Sequence, residues 1–198
     1  MASNGPTGGV RARAREVMRS QVAAIAVDLF LARGYHETTV DDICVAAEIS
    51  RSTFFRYFAT KEDALFGLVT DTGERLLAEL AARPPDETPW VALRHALSLR
   101  LAEVTAGGDH ARRLVRLITQ TPALATRHRD KAALWQEMLR PEVARRLGAD
   151  PEDVSDPRPA AVIAAALGCL DAALVAWTSS HPPRPLSELL DSAMAAVG

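Results

Sequence analysis

The segment 38–65 constrains the fold of this chain more than any other part. It holds two short stretches whose apolar residues recur at helical spacing, and each stretch is introduced by a hydroxyl side chain. Thr39 precedes the first and is followed closely by two aspartates, which helix N-termini favour. Ser50 precedes the second, 51–58, which is crowded with aromatic and basic side chains. Helices this short are unstable alone, so both must pack on a larger neighbour.

The stretch before them supplies that neighbour. Its apolar residues recur at helical spacing as far as Gly34, a residue type that commonly ends helices. These residues are Met18, Val22, Ile25, Ala26, Leu29 and Phe30. Three helices with the third presented outward form the layout of a helix-turn-helix DNA-binding domain. We expect this domain to span 11–60, after a flexible leader of residues 1–10.

Three ordered, ungapped blocks carry a family resemblance. They read Gly-Tyr-His-Glu-Thr-Thr-Val at 34–40, Ile-Cys-Val-Ala-Ala-Glu-Ile-Ser at 43–50, and Thr-Phe-Phe-Arg-Tyr-Phe-Ala-Thr-Lys-Glu-Asp-Ala-Leu at 53–65. The blocks resemble the TetR family of bacterial transcriptional repressors. The Phe-Phe-Arg-Tyr-Phe form of the third block is similar to a subset of actinobacterial members, including the regulators associated with mycofactocin clusters.

Two positions depart from the family pattern. Phe55 stands where a tyrosine usually faces the DNA backbone, so Arg56 and Tyr57 must anchor the phosphates instead. Glu48 stands at the turn where glycine is usual. A positive φ there costs a non-glycine residue about 1 kcal/mol.

The net charge of −2 does not indicate nucleic-acid binding, but the distribution of basic and acidic residues along the chain does. Residues 1–20 carry four arginines and one acid, and residues 51–61 carry three basic residues and no acid. We expect Arg51 to read guanine, other polar groups to reach bases or phosphates, and the N-terminal arginines to enter a flanking minor groove or to remain a solvated arm. The expected DNA contacts are Arg11, Arg13, Arg15, Thr39, Ser50, Arg51, Ser52, Thr53, Arg56, Tyr57 and Lys61. Lys61 and Thr39 are assigned to phosphates by the resemblance.

The remainder, 61–198, is expected to be a helical effector-binding and dimerisation domain, which makes the protein all-α with about nine helices. A long helix from Lys61 to about Ala82 would join the two domains. Proline and glycine positions delimit the later helices. These are expected at 90–106, 109–120, 122–147 and 160–177, with a loop at 148–159 and a final helix from 186.

The last two helices are expected to form a homodimer interface. The segment 160–177 is almost entirely apolar, with small residues at every fourth position, and the final helix has one apolar stripe. The interface residues are Ala160, Ala164, Gly168, Ala172, Ala176, Leu186, Leu189, Leu190 and Met194. Packing within one chain is the alternative for these stripes. A membrane span is disfavoured because Asp171 interrupts a short segment that lacks basic flanks.

A helical body without catalytic residues suggests a cavity for a largely apolar small molecule, although residues of this kind more often form plain core. The candidate lining is Trp90, Leu114, Leu117, Ile118, Thr121, Trp135, Met138, Asp171 and Trp177. The resemblance implies that ligand binding moves the helix from Lys61. It also implies that the two recognition helices then no longer match one turn of a palindromic operator, roughly 34 Å.

Other classes of protein receive little support. The sequence has no phosphate-binding glycine loop, nucleophile elbow or metal-ligand spacing, so we expect no enzyme, no cofactor and no metal. Cys44 and Cys169 are expected in the core. The leader lacks the features of a secretory signal, which favours the cytoplasm. A helical dimerising interaction module is the remaining alternative, but it would not require the basic, aromatic segment 50–61.

Overall fold

The computed structural model describes the backbone of residues 7–66, 72–182 and 184–198, and the side chains of these residues apart from 7–12 and 72. These ranges contain ten helices and no strand, which confirms the all-α prediction. The helices are α1 (Thr7–Arg33), α2 (Val40–Ala46), α3 (Arg51–Tyr57), α4 (Lys61–Phe66), α5 (Thr72–Ala81), α6 (Pro89–Ala106), α7 (Gly108–Gln120), α8 (Pro122–Arg146), α9 (Arg158–Ser179) and α10 (Leu186–Ala195). The chain divides into two compact units after residue 70.

In the first unit, α1 packs against α2 and α4, and α2 packs against α3. The inner face of α1 is fully buried through Val22, Ala26 and Phe30. The helix ends as predicted at Gly34, which has a φ of 94°. It begins at Thr7, so residues 7–10 belong to the helix and not to a flexible leader. On α2, Ile43 and Cys44 face inward, whereas Ala46 is exposed.

The expected linker helix is described in two parts. Its start lies in α4, where the Thr60 hydroxyl accepts from the Asp63 N–H at 3.2 Å. Its later part is α5, and residues 67–71 lie outside the described residues. This division accounts for the tenth helix. The later predicted helix ends fall within two residues of those observed. Thr88 caps α6 ahead of Pro89, as expected.

In the second unit, α9 lies at the centre and packs against α6, α7, α8 and α10. Two arginines form hydrogen bonds with backbone carbonyls near the ends of other helices of this unit. Arg146 of α8 donates to the carbonyl oxygens of Leu80 and Arg83 at 2.9 Å each and of Pro84 at 2.8 Å. Arg112 of α7 donates to the carbonyl oxygens of Trp177 and Ser180. Each guanidinium therefore adds hydrogen bonds to carbonyls at the end of a helix, where the intrahelical pattern stops.

The two expected interface helices differ in burial. On α9, Ala160, Ala164, Gly168 and Ala172 are exposed and Ala176 is half-buried, so this stripe is open. On α10, the apolar side chains are at most 7% exposed and belong to the core of a single chain. These side chains are Leu186, Leu189, Leu190 and Met194. Their assignment to a dimer interface is therefore wrong, because α10 packs on α9 of the same chain.

The helix α9 is also long and apolar enough to cross a membrane by length and composition, with a mean hydropathy of 2.0 over its best window. Its buried face explains much of that composition. Ile163, Ala166, Leu170 and Ala173 pack into the core of the second unit. The opposite face, with the exposed small residues, is apolar without a partner in the described residues of this chain.

Candidate nucleic-acid interface

The first turn of α3 presents the polar residues expected to meet DNA. The Ser50 Oγ accepts from the Thr53 N–H at 3.1 Å and lies 3.0 Å from the Thr53 Oγ1. These two side chains therefore fix the helix start and satisfy one another. Arg51 and Ser52 are exposed beside them. Of the four residues, these two are the ones whose side chains are not engaged in capping.

The turn before α3 has the strained geometry that the sequence suggested. Glu48 adopts a φ of 53°, the left-handed region usually occupied by glycine. The Ile49 N–H donates to the Cys44 carbonyl oxygen at 3.0 Å, which closes the turn around the end of α2. This backbone conformation links α2 to α3 in spite of its cost.

An ion pair joins α2 to α3 on the exposed surface. The Nη1 of Arg51 lies 2.7 Å from Oδ1 and 2.9 Å from Oδ2 of Asp41. The Arg51 guanidinium also lies over the ring of Phe55, with its carbon 5.8 Å from the ring centroid. Sequence reasoning assigned Asp41 only to the positive end of α2, because two residues ten positions apart cannot be paired without knowing how the helices cross.

A second cluster of basic and aromatic groups lies around Tyr57. The guanidinium carbons of Arg56 and Arg15 lie 5.2 and 5.9 Å from the centroid of its ring. Arg15 also donates to the Arg56 carbonyl oxygen at 3.5 Å, which attaches α1 to the end of α3. Arg13 is exposed, and the side chain of Arg11 lies outside the described residues. Two arginines of different helices therefore share one tyrosine.

Thr39 caps α2 through a complete capping box. Its hydroxyl accepts from the Asp42 N–H at 3.1 Å, and its own N–H donates to the Asp42 carboxylate at 2.8 Å. The hydrogen bonds from the Thr39 hydroxyl and backbone hold the pKa of Asp42 below its usual value. The Thr39 groups expected to meet phosphate are therefore already engaged within the protein.

Lys61 is directed into the first unit. Its Nζ donates to the carbonyl oxygens of Tyr35 at 2.8 Å and Thr38 at 3.0 Å, and lies 4.0 Å from the centroid of the Tyr35 ring. The Tyr35 hydroxyl donates to the neighbouring Glu62. Burial, followed by this hydrogen bond, raises the pKa of Tyr35. The lysine assigned to phosphate therefore bonds the loop that precedes α2.

We expect Lys61→Ala to weaken binding to all DNA sequences about equally, because the loop that orients α2 and α3 loses two charge-assisted hydrogen bonds. The unit should also unfold at a lower temperature. Affinity measured at several salt concentrations separates the two roles of this lysine. If the slope of the logarithm of affinity against the logarithm of salt concentration becomes shallower by about one, Lys61 contacts a phosphate. An unchanged slope agrees with the internal role seen here.

Two sequence families match this chain. The one described as bacterial regulatory proteins, tetR family, matches residues 24–67, and the one described as the MftR C-terminal domain matches residues 87–198. The second match covers more than half of the chain. The chain belongs to the TetR family. The MftR match extends the likeness seen in the first 65 residues to the helical body.

Individual members of the TetR family show the same relationship. The regulator TcmR of Streptomyces glaucescens is 35% identical over 78% of this chain and 70% of its own length. The mycofactocin biosynthesis regulator MftR of Mycobacterium tuberculosis is 30% identical over 94% and 92%. The crystal structure of Thermus thermophilus FadR, a TetR family repressor in complex with lauroyl-CoA, superposes with a TM-score of 0.53 and 26% identity over 89% and 91%. This protein is thus a transcriptional regulator with a helix-turn-helix domain.

The residues expected to line an effector pocket of this TetR regulator differ in burial. Trp135, Thr121 and Trp177 are buried, Leu114, Leu117, Ile118 and Met138 are half-buried, and half-buried Trp90 lies against the C-terminal Gly198. Asp171 pairs with His128, whose Nε2 lies 3.0 Å from the Asp171 Oδ1. Trp135 and Trp177 belong to the core of the second unit, and Trp90 packs against it.

A cavity of about 470 Å³ lies elsewhere in the second unit, between α6, α7, α9 and the start of α10. Buried Leu101, Trp177 and Leu186 give it apolar walls, and Thr105 and Arg112 give it polar ones. Only Trp177 of the predicted lining contributes to it. Sequence reasoning missed the others because they come from three further helices, α6, α7 and α10, whose relative placement no local pattern reports.

Proposed function

We propose that this TetR regulator is a homodimeric repressor that binds a palindromic operator through α3 and is released by a small, largely apolar ligand. The observation that carries the proposal is the exposed, well-capped first turn of α3. Arg51 offers its Nε and Nη2 groups there, which bond to no described residue. A guanidinium with two free parallel donors matches the O6 and N7 acceptors of guanine in the major groove.

The other basic groups are proposed either to position the protein on the DNA backbone or to recognise the shape of a groove. Arg56 and Tyr57, at the end of α3, are proposed to contact the DNA backbone, with Arg15 joined to them through the shared ring. Arg13 and Arg11, further along α1, are proposed to reach a flanking groove. Such contacts raise affinity for every sequence, whereas Arg51 supplies the choice of base.

The dimer is proposed to form on the open stripe of α9. Ala160, Ala164, Gly168 and Ala172 are exposed, and a Cβ placed on Gly168 would meet nothing within 4 Å. Small residues let a second helix approach closely, and an apolar helix face open to water favours burial. A two-fold protein would then present two α3 helices to the two halves of a palindrome, about one turn or roughly 34 Å apart.

The cavity bounded by α6, α7, α9 and α10 is the proposed effector site. Its volume of about 470 Å³ lies within the range of small-molecule sites, and its apolar walls favour an apolar ligand. FadR, a relative of comparable fold, holds an acylated coenzyme. A ligand that fits one body conformation better would shift the population of DNA-binding dimers. The cytoplasm, where DNA and such ligands meet, is the proposed location.

The DNA-binding part is tested by selecting bound fragments from sheared genomic DNA with the purified protein. The best fragment is then titrated at several salt concentrations. One enriched palindrome whose affinity falls steeply with salt is expected. Weak retention of all fragments alike would contradict the proposal and favour a helical interaction module without specific DNA binding.

Gly168→Arg is expected to convert the protein to monomers, because it places a charged side chain in the middle of the α9 stripe. Operator affinity should fall by about a hundredfold or more, since one half-site then binds alone. Sedimentation and operator titration measure the two effects. Ala195→Arg, on an exposed position of α10, is the control and should remain dimeric. If Gly168→Arg remains a dimer, the interface does not lie on the α9 stripe.

Ala102→Trp is expected to fill the effector cavity, which exposed Ala102 borders. The probe is 1-anilinonaphthalene-8-sulfonate, whose fluorescence rises in an apolar site. The wild type should bind it and the variant should bind it at least tenfold more weakly. Ala123→Trp, exposed on α8 and outside the cavity, should bind as the wild type does. Equal fluorescence in both variants would contradict the assignment.

A further inference from the structure

The guanidinium of Arg51 is held from two directions without DNA. Both carboxylate oxygens of Asp41 lie within 2.9 Å of the same nitrogen, Nη1. The ring of Phe55, one turn further along α3, lies 5.8 Å from the guanidinium carbon. The three residues come from two helices, so their meeting depends on the strained turn at Glu48.

This ion pair contributes little to folding. The side chains of Arg51 and Asp41 are each 61% exposed, and exposed pairs of this kind stabilise proteins by about 0–1 kcal/mol. An aspartate beside DNA phosphates also opposes binding through charge repulsion. Asp41 also lies in the first turn of α2, where a negative charge is favoured, but that position does not require a contact with Arg51.

The geometry offers a different account. Because Asp41 occupies Nη1, the edge of the guanidinium formed by Nε and Nη2 is left for another partner. That edge carries two parallel N–H donors at the spacing of guanine O6 and N7. An arginine side chain otherwise distributes among many rotamers, and fixing it before binding reduces the entropy lost on recognition.

We propose that Asp41 and Phe55 are positioning residues for base recognition: they hold Arg51 with its Nε/Nη2 edge toward guanine. The inference rests on the proposed DNA-binding function. It also gives the phenylalanine at 55 a role, because the face of an aromatic ring attracts a cation without needing the phenolic hydroxyl of the usual tyrosine. In this chain, residue 55 supports the reading arginine in place of a phosphate contact.

The proposal requires two effects of opposite sign from one substitution. Asp41→Asn removes a negative charge near DNA, so affinity for unrelated sequences should rise severalfold. The same variant frees the Arg51 side chain, so the preference for guanine over adenine at the Arg51 position should fall about three- to tenfold. A residue that served only to stabilise α2 would change both affinities in the same direction.

The experiment uses the full-length protein and the operator obtained by selection. Guanines of one half-site are replaced by adenine one at a time. The ratio of the affinity for the guanine operator to that for the adenine operator is then measured for four proteins. These are the wild type, Asp41→Asn, Arg51→Ala and the double variant Asp41→Asn/Arg51→Ala. Glu37→Gln, which removes an exposed carboxylate of the same unit, controls for charge and should leave the ratio unchanged. Circular dichroism and the unfolding temperature confirm that each variant is folded.

Loss of the ratio in Asp41→Asn, with no further loss when Arg51 is already alanine, supports the inference. Phe55→Leu should lower the ratio less, and Phe55→Tyr should preserve it. An unchanged ratio in Asp41→Asn, or wild-type discrimination in Arg51→Ala, overturns the inference while the regulator function stands. If the wild type selects no operator, the proposed function fails and the inference falls with it.

Discussion

Replacing Arg146 with methionine is expected to destabilise the C-terminal unit by about 3–5 kcal/mol, the cost of breaking a buried ion pair. The side chains of Arg146 and Glu142 are 4% and 3% exposed, and the Arg146 Nε donates to the Glu142 carboxylate at 2.8 Å. The substitution leaves Glu142 without its buried partner. It also removes the hydrogen bonds from Arg146 to the carbonyls of Leu80, Arg83 and Pro84 at the end of α5 and just after it. Thermal and urea unfolding of the full chain measure the change.

The neighbouring arginine provides a matched control. Arg145 also bonds Glu142, but its side chain is 67% exposed, so Arg145→Met should cost less than about 1 kcal/mol. The double variant Glu142→Leu/Arg146→Met removes the unpaired carboxylate but does not restore the hydrogen bonds from Arg146 to the carbonyls, so it should recover part of the loss. Equal unfolding temperatures for Arg145→Met and Arg146→Met would show that the buried pair does not stabilise the unit.

Phe54→Ala is expected to destabilise the N-terminal unit by about 3–5 kcal/mol, because it leaves a cavity under α3. Phe54 is fully buried, and its ring packs at 5.3 Å from the ring of Phe58. A unit of this size has little stability in reserve, so DNA binding should be lost with it. Circular dichroism and operator titration at 25 °C follow the two effects.

The adjacent Phe55 is 47% exposed and serves as the control. Phe55→Ala should change the unfolding free energy by less than about 1 kcal/mol, while it loosens the discrimination that depends on Arg51. Similar unfolding of the two variants would contradict the burial pattern seen on α3. We therefore expect the Phe54 variant to lose stability and the Phe55 variant to lose base discrimination.

The DNA-binding unit could be predicted closely because its signals are local. Thr39 and Ser50 cap the helices they were expected to cap, since a cap and its N–H partner are at most three residues apart. Glu48 has the positive φ expected of the turn position. The match to the tetR family over residues 24–67 spans the same short blocks.

Sequence reasoning missed partners that are distant in the chain. It did not show that Lys61 donates to the carbonyls of residues 35 and 38, and the assignment of Lys61 to phosphate stays a prediction. The apolar stripe of α10 was read as an interface with a second chain, and it packs on α9 of the same chain. A stripe shows that a helix face is buried, but the same stripe suits any apolar partner.

The amino-acid sequence by itself determined the all-helical class, the helix ends, the turn between α2 and α3 and the family, because capping, periodicity and glycine or proline placement act within a few residues. Only the tertiary structure decided which apolar stripe stays open, where the cavity lies, and that Asp41 and Phe55 hold Arg51. Those outcomes depend on how helices cross, and crossing is set by the packing of many side chains at once, which no single segment specifies.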